Sequence, residues 1–377
     1  MENKKKPEGN SAGAPDGAAS SEAPEQKTKL RNYLLSGAFL IALIAVTFYV
    51  IFKDNSVRDI WGVLRHVNLS YTLAGVLSMF GFIFFQGVVI GLSAQCVQIK
   101  MSLWEMMQYS FVGFFYSGIT PSAIGGQPMQ FYHMCRDRMS ISKATLMLFV
   151  ANLTYQIVIV VMGLIMFFTK LSFIIQVRRS VIVLFFFGLS VNLFILLIIL
   201  GVLISENLLR NVLNGFVVFL AKIKIIKNPE SAHESVGAYL DEFKSGVELL
   251  KENKLRFFLI LLATSAHFIL YHIIPFFVYR ALGFRGYTCF DFIAISAVLY
   301  VAINYFPLPG SVGAAESGFV VLFAPYFAKL IMPAMLLSRF INFYTMIVIS
   351  GVFSAFAQLR KPYDLSDEVH ILKRNPR

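Results

Sequence analysis

The sequence predicts an all-α, polytopic integral membrane protein, and three observations carry that expectation. Of 377 residues, 57% are hydrophobic and only 14% charged, with a mean hydropathy of +0.69, far from the composition of soluble domains. The apolar residues gather in runs that match the ~20 residues a helix needs to cross a bilayer, enough for roughly six to eight transmembrane helices. Two of the runs are interrupted by helix breakers at corresponding places, which predicts two broken or re-entrant segments in pseudo-symmetric halves.

The chain opens on a tail, residues 1–31, rich in Gly, Ala, Ser, Pro, Glu and Lys. It has little to bury and is expected to be disordered and cytoplasmic. The first transmembrane half follows over residues 32–204. Its first span is Tyr33 to Phe52, held inside by the basic flank Lys27, Lys29 and Arg31. Asp54 to Asn68 mixes Ile60, Trp61, Val63 and Leu64 with Arg58, Asp59 and Arg65, the pattern of a helix lying in the interface. Leu69 to Leu92 is the second span. Met101 to Gly118 and Ser122 to Cys135 flank the first break, and Ile141 to Phe168 and Val181 to Ile204 are further spans.

Residues 205–254 change abruptly to Lys, Glu and Asp, with Leu240, Phe243, Val247 and Leu250 at helical spacing. They form an amphipathic cytoplasmic linker. The second half, residues 255–358, runs through Leu255 to Leu282, then Asp291 to Tyr305, the second break, Ser317 to Leu330, and Met332 to Ala357. A basic cytoplasmic tail, residues 359–377, ends the chain. Six full spans with two oppositely facing hairpins, or eight conventional spans, both fit this reading.

The second break, Pro307-Leu308-Pro309-Gly310-Ser311-Val312-Gly313-Ala314-Ala315-Glu316, combines two prolines, two glycines and a carboxylate. Proline removes a backbone donor and clashes with the preceding turn, so backbone polar groups come free. Hydrocarbon cannot satisfy them, and such backbone survives at membrane depth only against protein or a cavity. The first break, Pro121-Ser122-Ala123-Ile124-Gly125-Gly126-Gln127-Pro128, is its echo. Candidate ligand-binding residues are therefore Gly125, Gly126, Gln127 and Tyr132 at the first break, and Asn304, Pro309, Gly310, Gly313 and Glu316 at the second. The polar set Asn152, Tyr155 and Gln156 in the following span joins them.

An ionised carboxylate in apolar sequence needs a partner, and Arg339, with Asn342 one helical turn on, supplies one. Two uses of the pair stay open. It pins two helices together, or Glu316 attracts a cationic headgroup while Arg339 takes a lipid phosphate, for which the guanidinium fork is suited. Likewise Gln127, Asn152, Tyr155 and Gln156 either bond helices to one another or line a polar groove.

The same reading narrows the function. A formal charge of +12 would suggest nucleic acid in a soluble chain, but here the basic residues flank apolar segments, where they set topology and meet anionic headgroups. Cys96, Cys135 and Cys289 are dispersed, without the spacing of a metal site or disulfide framework. There is no Gly-x-Ser-x-Gly, phosphate loop or HExxH, so no catalytic residue, cofactor or metal is expected. His267 and His272, five apart, share a helix but not a face.

Gly125-Gly126-Gln127-Pro128 leading to Tyr132, with Pro307 to Gly313 leading to Glu316-Ser317-Gly318, resembles the flippase-like transmembrane family that includes the membrane region of lysylphosphatidylglycerol synthases. The likeness runs from about Arg31 to Lys361, with Ser311 where the family more often has a second glycine. It implies a multi-pass protein of the bacterial plasma membrane that binds an anionic or aminoacylated phospholipid headgroup and moves it between leaflets. A separate soluble domain makes the lipid in that family, in the context of resistance to cationic peptides. This chain stops soon after its last span, so that domain is expected to be missing, and with it a phosphatidylglycerol lysyltransferase activity. A separate synthase is then a candidate partner. Alternatives of other classes are the membrane part of a lysyltransferase system and a lipid-binding scaffold that transports nothing.

Overall fold

In the computed structural model the described residues are 57–120, 123–177, 179–205, 252–304 and 313–363, with isolated positions at 207, 210–211, 214–215, 243–244 and 247–248. They fall in one compact unit, Ile51–Arg377; the other unit, Met1–Val50, is outside them. The predicted span Tyr33 to Phe52, both tails, most of the linker, Pro121, Pro309 and Gly310 also lie outside the described residues.

All regular structure among the described residues is helical. The first half contributes α1 (Val57–Leu64), α2 (Leu69–Cys96), α3 (Leu103–Ile119), α4 (Gly126–Arg136), α5 (Ile141–Thr169), α6 (Leu171–Val177) and α7 (Arg179–Ile204). The second contributes α8 (Lys254–His272), α9 (Ile274–Ala281), α10 (Cys289–Ile303), α11 (Ala314–Phe327), α12 (Ile331–Arg339) and α13 (Thr345–Leu359). Pro275, in the first turn of α9, cannot donate to the preceding turn, which separates α8 from α9 at Ile273. A π-helical turn, Phe340–Tyr344, joins α12 to α13. Among the described residues five stretches are long and apolar enough to cross a membrane: Leu69–Cys96, Ile141–Thr169, Ser180–Ile204, Lys254–Ala281 and one within Ala314–Leu359.

Both halves follow one plan, a long span, a helix-break-helix hairpin and another long span. Each hairpin begins with the same capping device. Ser102 N donates to Glu105 Oε2 (2.5 Å) at the start of α3, and Thr288 N donates to Asp291 Oδ2 (2.8 Å) at the start of α10. Such reciprocal caps satisfy backbone donors that a helix start leaves over.

The span α2 of the first half packs antiparallel to α8 and α9 of the second. Asn68 N donates to Ala281 O (2.8 Å), Ser78 Oγ to Leu270 O (2.9 Å), His267 Nδ1 to Phe82 O (2.7 Å) and Arg256 Nη1 to Gln95 O (2.9 Å). Numbers rise along α2 as they fall along α8 and α9, so the second half is inverted relative to the first.

The hairpins therefore open to opposite ends of the bundle. Tyr109 Oη, near the start of α3, donates to Asp137 Oδ2 (2.7 Å), just past the end of α4. In the second hairpin Phe292, near the start of α10, packs on Phe323 (ring centroids 5.8 Å) and Tyr326 (5.0 Å), near the end of α11. Each chain segment thus returns to the end from which it entered. Length agrees: the 11 residues of α4 span about 16 Å at ~1.5 Å per residue, half of a ~30 Å hydrocarbon core. Five spans with two oppositely facing hairpins is the arrangement these contacts fit among the described residues; the predicted span Tyr33 to Phe52 lies outside them.

Each hairpin is gripped by long helices of the other half, α3 by α13 and α10 by α5 and α7. The grip ends in an ion pair at each end of the bundle. Lys170, just past α5, pairs with Asp291 of α10. Arg360, just past α13, pairs with Asp137 after α4 through Nη2 (2.5 Å) and Nη1 (3.0 Å). Of the linker, Phe243 and Val247 are buried, and Phe243 packs edge-on against Phe149 (6.0 Å).

Candidate functional site

The second break ends at Gly313, whose φ of +85° is the left-handed conformation that glycine adopts at least cost. The chain then turns into α11, where Glu316 is the third residue and its Oε2 accepts from Gly313 N (2.5 Å). A carboxylate here satisfies a free donor and faces the positive end of the helix dipole. Its other oxygen, Oε1, accepts from Arg339 Nε (2.7 Å). Both residues are buried, Glu316 9% and Arg339 8% exposed. Two charges so far from water persist only because they face each other.

Arg339 is the last residue of α12, and the π turn after it carries Asn342. The guanidinium lies 5.7 Å from the Phe343 ring. Its Nη2 and the Oδ1 of Asn342 are buried, and neither has a hydrogen-bond partner among the described residues. Leaving such groups unpaired costs ~1–3 kcal/mol each, more when charged. Both residues line a cavity of about 60 Å³ together with Tyr271, Ser296, Tyr300 and Phe319. Tyr300 Oη is hydrogen-bonded to Tyr155 Oη of α5, so the first half reaches the edge of the cavity. A space of 60 Å³ takes about two water molecules at ~30 Å³ each. A phospholipid headgroup needs it to widen.

The predicted residues divide accordingly. Arg339 and Asn342 meet at the cavity, Glu316 is joined to it through Arg339 with Gly313 beside Glu316, and Tyr155 reaches it through Tyr300. Asn304 caps α10, donating from its backbone to Tyr300 O (2.9 Å). Asn152 and Gln156 lie on α5, half-buried and buried. The first-break residues form a separate group at the α3–α4 turn. Gly125 N donates to Thr120 Oγ1 (2.9 Å). Gly126 is buried where a Cβ would lie 2.0 Å from Ser117 Oγ and 2.6 Å from Gly113 O, so its missing side chain is what lets α4 approach α3. Gln127 and Tyr132 are exposed on α4.

Sequence reasoning misses Tyr271, Ser296 and Tyr300, because a tyrosine or serine in an apolar helix carries no signal of which face it occupies. It also misses the buried cluster at Asp137. That carboxylate is 0% exposed and accepts from Arg360, Tyr109 Oη and Tyr363 N (2.9 Å). Gln108 Oε1 accepts in turn from Arg360 Nε (2.7 Å) and Tyr363 Oη (3.0 Å). Flanked by Arg136 and Arg138, Asp137 reads in the sequence as part of a basic exit. His267 and His272 are packed, His272 Nδ1 bonding Ser296 Oγ (2.9 Å).

Antiparallel halves, oppositely opening hairpins and a buried ion pair at a broken helix define a multi-pass helical membrane protein of inverted-repeat construction. A family model for the lysylphosphatidylglycerol synthase TM region matches residues 34–350. The chain belongs to that family, as the two broken segments suggest. No curated protein matches it.

Proposed function

We propose that the protein is a membrane lipid transporter that holds a phospholipid headgroup at the Arg339 cavity and moves it between leaflets. One observation carries the reading: a buried arginine that lines a cavity between the two arms of the second hairpin, beside a broken helix, keeps one donor without a partner among the described residues. A lipid phosphate supplies acceptor oxygens to that donor, and arginine binds phosphate through its planar fork. The family connects the membrane region to phospholipid metabolism, in keeping with a lipid ligand. The setting is the bacterial plasma membrane, with both termini and the linker cytoplasmic.

Inverted repeats give the motion a physical basis, since rocking of one half against the other exposes a fixed midplane site to each side in turn. The Lys170–Asp291 and Arg360–Asp137 pairs tie each hairpin to the opposite half at opposite ends, where alternate release would let one end open at a time. The family description favours one other reading, the membrane part of a lysyltransferase system working with a separate catalytic partner. Reconstitution into liposomes separates them. Leaflet exchange of labelled phosphatidylglycerol by the protein alone, reduced at least about tenfold in Arg339→Gln, supports transport. Absence of exchange by folded wild-type protein overturns it.

A further inference from the structure

Just past α13, residues 360–363 lie as a strap across the end of the first hairpin. Arg360 gives both terminal nitrogens to Asp137 and its Nε to Gln108, and its guanidinium sits 3.6 Å from the centre of the Tyr363 ring. Tyr363 closes the strap, donating from N to Asp137 Oδ1 (2.9 Å) and from Oη to Gln108 Oε1 (3.0 Å). With Tyr109 Oη added, four donors meet one carboxylate, which fills its lone pairs.

One helical turn before Asp137 stands His133, on the same face, since Asp137 N still donates to His133 O (3.0 Å). It is 1% exposed, and neither ring nitrogen has a hydrogen-bond partner among the described residues. The charges that act on it are Arg136, Asp137 and Arg360. Of the helices packed on α4, α3 carries the ionisable residues Glu105, Tyr109 and Tyr116, and α5 carries Lys143 and Tyr155. Glu105 is taken up in capping Ser102 N. On the side of α13, reached by Arg136 at Ala357 O (2.8 Å), no ionisable residue precedes Arg360. A proton on His133 here would add a cation beside two guanidiniums, out of water and with the near carboxylate filled. The imidazole is therefore neutral while the strap is in place.

We propose that residues 360–363 form a proton-sensitive strap, which holds the first hairpin closed over a neutral His133 and is released when His133 takes up a proton. Both ring nitrogens are buried, so the proton arrives as the strap lifts. Arg360 then carries its charge into water, and the imidazolium one turn away takes its place on Asp137. One proton is gained and no buried charge is left alone. Because the released form binds the proton and the strapped form excludes it, acid favours release. The strapped form prevails above the ordinary histidine range, about pH 6.5, and gives way as pH falls below it.

The test places nitroxide labels at Arg138→Cys and Lys361→Cys, both exposed positions, in the full-length protein in detergent with Cys96, Cys135 and Cys289 replaced. Pulsed electron resonance reads their separation at about pH 8 and about pH 5.5, either side of the histidine range. A ratio linked to one proton changes by up to about tenfold per pH unit, so the longer separation is expected to gain at least about tenfold over the shorter in acid. His133→Gln, polar and uncharged, is expected to keep the short separation at both. Tyr363→Ala removes the ring from Arg360 and the bond to Gln108, and is expected to show the long separation already at the higher pH. A wild-type distribution that ignores pH overturns the proposal, as does a pH response that survives in His133→Gln. Tyr363→Ala that keeps the wild-type distribution at the higher pH overturns the strap. The readout is a distance in detergent and not lipid exchange in liposomes, so failure here is distinct from failure of the transport reading.

Discussion

Glu316 shows how one residue can serve structure and chemistry at once. Its carboxylate closes the start of α11 and neutralises Arg339, leaving Nη2 of the guanidinium buried without a hydrogen-bond partner among the described residues. Glu316→Gln removes the charge and strands a buried arginine, which is expected to destabilise the protein by ~3–5 kcal/mol, whereas Arg339→Gln added to it recovers much of that loss. Thermal denaturation of the singles and the double in one detergent checks this. The pair is legible in the sequence, because two opposite charges in apolar runs have few other partners. The companions Tyr271 and Tyr300 are not, since their role depends on which face of α8 and α10 the tertiary packing turns toward the cavity.

At the scale of elements, the two breaks look alike in sequence and differ in environment. Gly126 is wedged between helices, whereas a Cβ on Gly313 would meet nothing within 4 Å among the described residues but would sit at a φ of +85°. Gly126→Leu is therefore expected to cost stability through the α3–α4 contact, by ~1–3 kcal/mol or more for the overpacking. Gly313→Leu strains one residue, by about 1–2 kcal/mol, and impairs exchange by stiffening the break. Melting temperature and exchange measured side by side distinguish the two, with Gly126→Leu the less stable. The glycine-and-proline pattern makes both breaks readable, but not this difference, which arises from Ser117 and Gly113 on the facing helix. The π turn at Phe340–Tyr344 leaves no composition signal either. It places Asn342 beside Arg339 at the cavity, and such turns recur at functional positions.

For the whole molecule, the inverted halves are what the sequence conveys best, because hydropathy and the spacing of the two breaks repeat along the chain. The hairpin helices α3, α10 and α11 are as apolar as full spans, so their distinction rests on long-range contacts such as Tyr109 to Asp137 and Phe292 to Tyr326. It has a direct consequence for topology. Arg138, after the first hairpin, and Lys329, after the second, lie at opposite ends of the bundle. With Cys96, Cys135 and Cys289 replaced, Arg138→Cys is expected to resist a membrane-impermeant thiol reagent in intact cells, and Lys329→Cys to react. Labelling of both from one side would contradict the inverted arrangement.

The central claim is that the Glu316–Arg339 pair binds the headgroup as well as holding helices together, and the Glu316→Gln/Arg339→Gln double variant separates these roles. The decisive measurement is leaflet exchange of labelled phosphatidylglycerol in liposomes containing that variant, after its melting temperature has been matched to wild type. The account expects a stable protein whose exchange is reduced at least about tenfold, equivalent to ~1.4 kcal/mol or more of lost binding in the transport step. A stable double variant that exchanges lipid at the wild-type rate would contradict it.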